Sequence, residues 1–396
     1  MKDLSELKET TLVEEPGFPI AKKKRVWLYF IPIPVVLLLV GAFFFVKSLN
    51  SGGISSPVSE TDAAPRSAFN FKEGKEEVES PINGVWYSTE EAMVWQEKRP
   101  IAIMINNAIE ARPQSGLPYA DIIYEAVAEG GITRFLAIYQ TQEAKVLGPV
   151  RSARAYYIDW AREYDAWYAH CGGAFAEGSK VNIYDYLNGA GYYEGMGASI
   201  PDLDEMWVGT LAYYRSNDRV APHNLYTSTE KLREAGLKKY PTWGSFKEPE
   251  TWKFKEDGGT SSGTASIAFN FWKDLNFNVD WVYDPANNVW LRSQGGEKQT
   301  DKDTGQQLAA KVVVIQYVEE ISLNDDKAHL WYETQAGGEA EVYQDGNKIN
   351  AIWKKPFAAA RTMFYEVGTD AEIEFNRGQI WVEIVPKGNK VTFTSS

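Results

Sequence analysis

Arg151, Ser152 and Arg154 fall in the run RSAR directly ahead of AYYIDWAREYDA, and residues of these types in that order suit an anion. Ser152 reads as the cap of a helix. The unpaired N–H groups of its first turn, its dipole and two guanidinium forks would draw in a phosphate or carboxylate. The same arginines could instead close internal ion pairs with Glu125 and Glu129, and both readings stand at this point. Glu125 and Glu129 alternate with Tyr124, Ala126 and Ala128 along a β-prone run. The two-residue period of a strand puts both carboxyls on one face, where they could act as acid and base. His170 and Cys171 lead into Gly172 and Gly173, and His223 and Asn224 stand just ahead of Thr227 and Glu230, which are spaced as a capping box. Adjacent strand residues point to opposite faces, so His170 is a poor base for Cys171, and an inert buried thiol is the expectation.

The elements that must hold these groups can be read from pattern. PIAIMIN, ending at Asn106, is a buried strand, and Pro113, Gly116 and Pro118 mark the loop after it. DIIYEAVAEGGITRFLAIYQ is a hairpin turning at Gly130 and Gly131. A helix follows Ser152, DAWYAHCGG is a further strand, and a second helix runs from the capping box to about Gly236. Residues 81–243 thus form a mixed α/β unit, and the polar, Gly/Ser-rich stretch 244–264 is a connection. Residues 265–396 show short strand-like runs broken by DPANN, AGG, DG and RG, as in a smaller, mainly antiparallel β unit. Together they give an α+β fold class. Trp281, Tyr283, Trp290, Trp331, Tyr343, Trp353 and Trp381 are expected in its core, and any exposed aromatic would offer a platform for sugar rings.

A formal net charge of −13 excludes a sequence-independent grip on nucleic acid, which needs a basic footprint. The single cysteine excludes an intramolecular disulfide and a multi-cysteine zinc site. His170, His223 and His329 fit no metal-binding motif, so no metal or cofactor is implied. No G-x-S-x-G, P-loop or G-x-G-x-x-G context is present either.

Residues 26–46, VWLYFIPIPVVLLLVGAFFFV, form an uncharged run of the length a helix needs to cross roughly 30 Å of hydrocarbon. Bulky Phe43, Phe44 and Phe45 at its end argue against signal-peptide cleavage. Lys22, Lys23, Lys24 and Arg25 before it, against Lys47 after it, predict a cytoplasmic tail at 1–25 and an extracytoplasmic body. Residues 47–80, rich in Ser, Gly, Pro and charge, read as a flexible tether.

RPIAIMINNAIEARPQSGLPYADIIYEAVAEGGITRFLAIYQ, GPVRSARAYYIDWAREYDAWYAHCGG and APHNLYTST resemble the YerB-like lipoprotein family, defined by a domain of unknown function, number 3048. With the C-terminal part, the resemblance covers most of residues 81–390. It implies a bacterial, surface-facing protein with two family domains and no established activity. Its recurrent motifs fall on Arg112, Gln114, Asp121, Glu125, Glu129, Arg134, Arg151, Ser152, Arg154, His170, His223 and Asn224. Two departures stand out: no lipobox cysteine precedes the tether, so the span replaces a lipid anchor, and Asn106 occupies a position where an acid is expected.

Three readings follow. The first is a binding protein that takes an anionic cell-wall or other envelope ligand in a cleft near Arg112, Arg134, Arg151, Arg154 and His223. The second is an envelope hydrolase or transferase using Glu125 or Glu129 with His170 or His223. The third is a scaffold in which these polar residues only hold the fold.

Overall fold

The computed structural model describes residues 77–176, 179–187, 200–242, 244, 250–258 and 263–396. All of them belong to one compact unit, 63–396. The expected tail, span and tether at 1–76 lie outside the described residues, and among those described no helix is long and apolar enough to cross a membrane.

The central element is a ten-stranded mixed sheet. Its first half comes from β1 (Ile101–Asn106), β2 (Ile122–Glu129), β3 (Ile132–Tyr139), β4 (Trp167–His170) and β5 (Asp202–Asp204). β1 is apolar throughout and buried at every residue, as a strand covered on both faces must be. β2 and β3 form the expected hairpin, whose turn places Gly130 (φ +57°) and Gly131 (φ +84°) in the left-handed region that only glycine enters freely.

From the C-terminal part come β6 (Ala265–Phe269), β7 (Val279–Asp284), β8 (Val289–Gln294), β9 (Val312–Val318), β10 (Ala336–Gln344), β11 (Asn347–Lys355), β12 (Met363–Glu366), β13 (Ile380–Pro386) and β14 (Val391–Ser395). The large sheet has the order β12-β11-β10-β9-β13-β2-β3-β1-β4-β5. The seam is β13 running parallel to β2, with Glu383 opposite Glu125. The sheet therefore passes without a break from one side of the connection expected at 244–264 to the other. β9 and β13 are also parallel, whereas β10, β11 and β12 continue antiparallel from β9 and β6, β7, β8 and β14 make a second, antiparallel sheet. The AGG expected as a turn lies inside β10, where Gly338 leaves room for the indole of Trp353. Asp345 and Gly346, both at positive φ, do make the predicted tight turn between β10 and β11.

The second sheet covers one face of the large sheet through an aromatic seam. Trp381 meets Phe135 at 5.4 Å and Trp281 at 5.2 Å between ring centroids. The seven aromatics predicted for the core are all buried. The opposite face carries helix α1 (Ala155–Arg162), which stacks Trp160 on Tyr124 and sends the Tyr157 hydroxyl to the carbonyls of Ala126 and Arg134. Helices α2 (Ile183–Leu187), α3 (Glu205–Val208) and α4 (Thr229–Lys239) follow. The result is a mixed α/β fold dominated by strands.

Two predicted caps shift. α1 begins at Ala155 with Arg154 at its cap position, because Ala153 still bridges Gly173 as extended chain; Ser152 therefore caps nothing. α4 is capped by Ser228, whose side chain accepts from the Lys231 N–H, while the Thr227 hydroxyl donates to the Ala212 carbonyl.

Candidate functional site

β1, β2, β4 and β5 run in the same direction, so their carboxyl ends, at Asn106, Glu129, His170 and Asp204, share one rim of the sheet. Carboxyl ends of such strands are where ligands of open α/β sheets gather. The segment leading into α1 lies across this rim. Pro149 O accepts from Asn106 N (2.8 Å), Arg151 N donates to Met104 O (3.0 Å), and Arg151 O accepts from Cys171 N (3.2 Å). Arg151 is thereby fixed by its backbone between the ends of β1 and β4.

The predicted pair Glu125 and Glu129 is split. A bulge between Val127 and Glu129 advances the register by one residue and turns Glu129 to the α1 side of the sheet. There its carboxylate accepts from Arg134 Nη2 (2.5 Å) and from Arg154 Nη2. Burial works against the charge of Glu129, but the two guanidiniums outweigh it and hold the carboxyl below its usual range. Burial brings Arg134 down to about 10, and its Nη1 is spent on the Ser152 carbonyl (2.8 Å). Of the two readings open for the arginines, Arg154 and Arg134 take the internal ion pair. Arg151 does not: its half-buried side chain has no hydrogen bond or ion pair among the described residues, and it acts on Glu129 only through its charge.

Glu125 stays on the other face, sealed beneath the second sheet. Arg292 of β8 bonds it through Nη2, reaches Glu383 through Nη1 (2.7 Å) and Gln299 through Nε (2.6 Å), and lies over Trp381, Trp281 and Phe135. Burial, resisted by Arg292 and aided by Glu125, keeps the Glu383 carboxyl well above its usual range. Gln114 is part of the same joint, donating to Asn107 Oδ1 (2.8 Å) and accepting from Gln299. Arg112 stacks on Phe277 and is spent on the carbonyls of Asn107 and Asn276; burial lowers it to about 10.

The two rim histidines differ in state. His170 has only acceptors around it, Asp202 Oδ1 at Nε2 (2.9 Å) and Gly172 O at Nδ1 (2.8 Å), so both ring nitrogens donate. Burial disfavours that cation, yet Asp202 and then Asp204 outweigh it and raise the ring above its ordinary value. His223 is neutral. Asn106 Oδ1 accepts from Ala108 N (3.0 Å), which fixes the amide so that its Nδ2 donates to His223 Nδ1 (2.9 Å). The His223 proton therefore sits on Nε2. Burial and the nearby Arg151, with a smaller contribution from Arg219, lower its affinity for a second proton, against Glu110. Asn106, noted from the sequence only as a departure, is thus the residue that sets the state of His223.

The remaining predicted residues are structural. Asp121, pushed up to about 6 by burial, accepts from Asn83 Nδ2 (2.7 Å) and from the Gln140 and Thr141 N–H groups (2.6 and 3.1 Å). Asn224 accepts from Arg215 and donates to the Ser216 carbonyl. The Cys171 thiol points at Glu205 (3.6 Å) and is pushed up to about 11 by burial and that carboxylate, the opposite of an activated nucleophile. Among the described residues no cluster of three or more His, Cys, Asp or Glu is arranged to hold a metal.

These features define a three-layer α/β protein whose polar side chains gather at the carboxyl rim of a mixed sheet. The chain belongs to the DUF3048 family: residues 83–242 match the model described as the N-terminal domain of a protein of unknown function (DUF3048), and residues 267–382 match its C-terminal domain. It is 30% identical over 344 residues to the putative lipoprotein YerB of Bacillus subtilis (strain 168), covering 83% of this chain and 90% of that one. The crystal structure of YerB from Bacillus subtilis superposes with a TM-score of 0.68 at 26% identity, covering 80% of this chain and 100% of that chain.

Proposed function

We propose that this protein is an envelope-facing binding protein that holds an anionic group of a cell-wall ligand at the corner formed by Arg151, Ser152 and His223. The observation that carries this reading is the unspent guanidinium of Arg151. Arg134 and Arg154 neutralise Glu129 beside it, whereas Arg151 is half-buried, backbone-fixed and unpaired among the described residues. A half-buried, unpaired cation invites an anion, and the proton on His223 Nε2 adds a second donor. The acid–base alternative has less support: Glu125 is sealed, Glu129 is paired, His170 is bonded at both nitrogens and the Cys171 thiol is held protonated.

Placement outside the membrane rests on the apolar run 26–46, on the basic residues before it and on the lipoprotein name of the relative. The test is retention of the full chain, in detergent micelles, on isolated cell wall at physiological ionic strength. Arg151→Ala should weaken retention about tenfold or more, as loss of a charge-assisted pair predicts, and inorganic phosphate should compete with the parent protein. Retention equal to the parent would remove Arg151 from any site.

A further inference from the structure

A cleft of about 920 Å³ lies between the β2–β3 turn, just beyond Glu129, and the edge formed by β6 and β14, and none of Arg151, Ser152 and His223 lines it. Its floor is Trp272, which follows the end of β6 and is 38% exposed. The ring is pinned: its Nε1 donates to Glu320 (2.9 Å), and that carboxylate is itself held by the Tyr332 hydroxyl. Gly131 lies against the indole so closely that a Cβ there would come within 3.4 Å of Cε3. Lys273 and Lys390 line the cleft, and neither has a hydrogen bond or ion pair among the described residues. Asn389 spends its Nδ2 on the carbonyls of Asn270 (2.9 Å) and Phe271 (2.8 Å), which leaves Oδ1 to accept. Asp274, the one carboxylate here, has an oxygen occupied by Asn276.

We infer that this cleft binds a chain of sugars bearing carboxylates. A fixed, half-exposed indole offers a flat apolar face to a pyranose ring, and Asn389 and Asp274 supply acceptors for hydroxyls at its margin. Two unpaired ammoniums in a chain of net charge −13 select for negative substituents on those rings. This inference is independent of the Arg151 corner.

The test is calorimetric titration of the full chain in detergent with a hexasaccharide of alternating N-acetylglucosamine and N-acetylmuramic acid carrying free carboxylates. Neutral chitohexaose and a glutamate hexapeptide serve as comparators. Trp272→Ala should weaken the acidic hexasaccharide about tenfold, and Trp272→Phe, which keeps a ring in place, less. Lys273→Gln with Lys390→Gln, both exposed positions, should erase the preference over chitohexaose. Arg151→Ala should bind the hexasaccharide as the parent does. The inference is overturned by parental affinity in Trp272→Ala, by loss in Arg151→Ala, by equal binding of the glutamate peptide, or by absence of saturable binding in the parent.

Discussion

Arg292 and Arg151 bring the same guanidinium into opposite circumstances. Arg292 is sealed between the two sheets, bonded through Nε and both terminal nitrogens, and boxed by Trp381, Trp281 and Phe135. Arg151 stands at the rim with its backbone held on both sides and its side chain unpaired among the described residues. The first arrangement satisfies a charge inside the protein and leaves nothing for a ligand. The second leaves hydrogen-bond donors free for a ligand, although its charge also acts on the nearby Glu129. Arg134 and Arg154 fall with Arg292, since one carboxylate engages both.

The comparison breaks most visibly at Arg292. Arg292→Met strands Glu125 in a dry joint, and removal of one partner of a buried pair costs about 3–5 kcal/mol. Chemical denaturation of the parent and variant measures it. Glu383→Gln should cost less, because burial and the neighbouring Glu125 push that carboxyl toward its neutral form and a neutral carboxamide has its shape. A cost under 1 kcal/mol for Arg292→Met, or a large one for Glu383→Gln, would mean that Arg292 and Glu125 do not form the charged pair of this joint.

A smaller loss is expected at Glu129. Its removal leaves Arg134 and Arg154 facing each other without their shared carboxylate, but part of Glu129 reaches solvent, so about 2–3 kcal/mol is the expected cost of Glu129→Ala. Urea unfolding gives the figure. Parental stability would put Glu129 among groups available to a ligand and revive the acid–base reading.

How much of this was legible in the sequence follows from range. The β2–β3 hairpin and the β10–β11 turn were readable because glycine at positive φ is a local demand. The pairing of Arg154 with Glu129 was among the readings the sequence left open, whereas Arg134 as the second partner of that carboxylate was not. The split of Glu125 from Glu129 depends on a bulge that the alternation IIYEAVAE does not announce. Arg292 was passed over because it sits in an ordinary alternating strand, and its partners come from β2 and β13, far away in the chain. The same holds for the β13–β2 seam: parallel pairing of distant strands leaves no local signature. Trp272 closes the apolar run SIAFNFW. Its one distinguishing signal was position, an aromatic just past the last strand residue and followed by a lysine.

The finest distinction concerns the charge around Arg151. Arg151→Ala should change stability by no more than about 0.5 kcal/mol, as for a side chain with no hydrogen bond or ion pair to lose and whose charge attracts Glu129 while it repels Arg134. Its effect should appear instead in the titration of His223, whose proton affinity is lowered first by burial and then by Arg151. The sign is fixed by linkage. A histidine lowered in the folded state takes up its proton less readily than in the unfolded chain, so stability falls as pH drops below the ordinary histidine value, about 6.5. Removing Arg151 should raise the His223 value and reduce that acid sensitivity, whereas an anion seated at the corner should raise it with Arg151 in place. Nuclear magnetic resonance of the ring proton, read in the parent, in Arg151→Ala and with added phosphate, separates these effects. If the parent ring titrates at or above the ordinary value, Asn106 and Arg151 do not govern His223, and the rim loses the feature that sets it apart from the sealed joint.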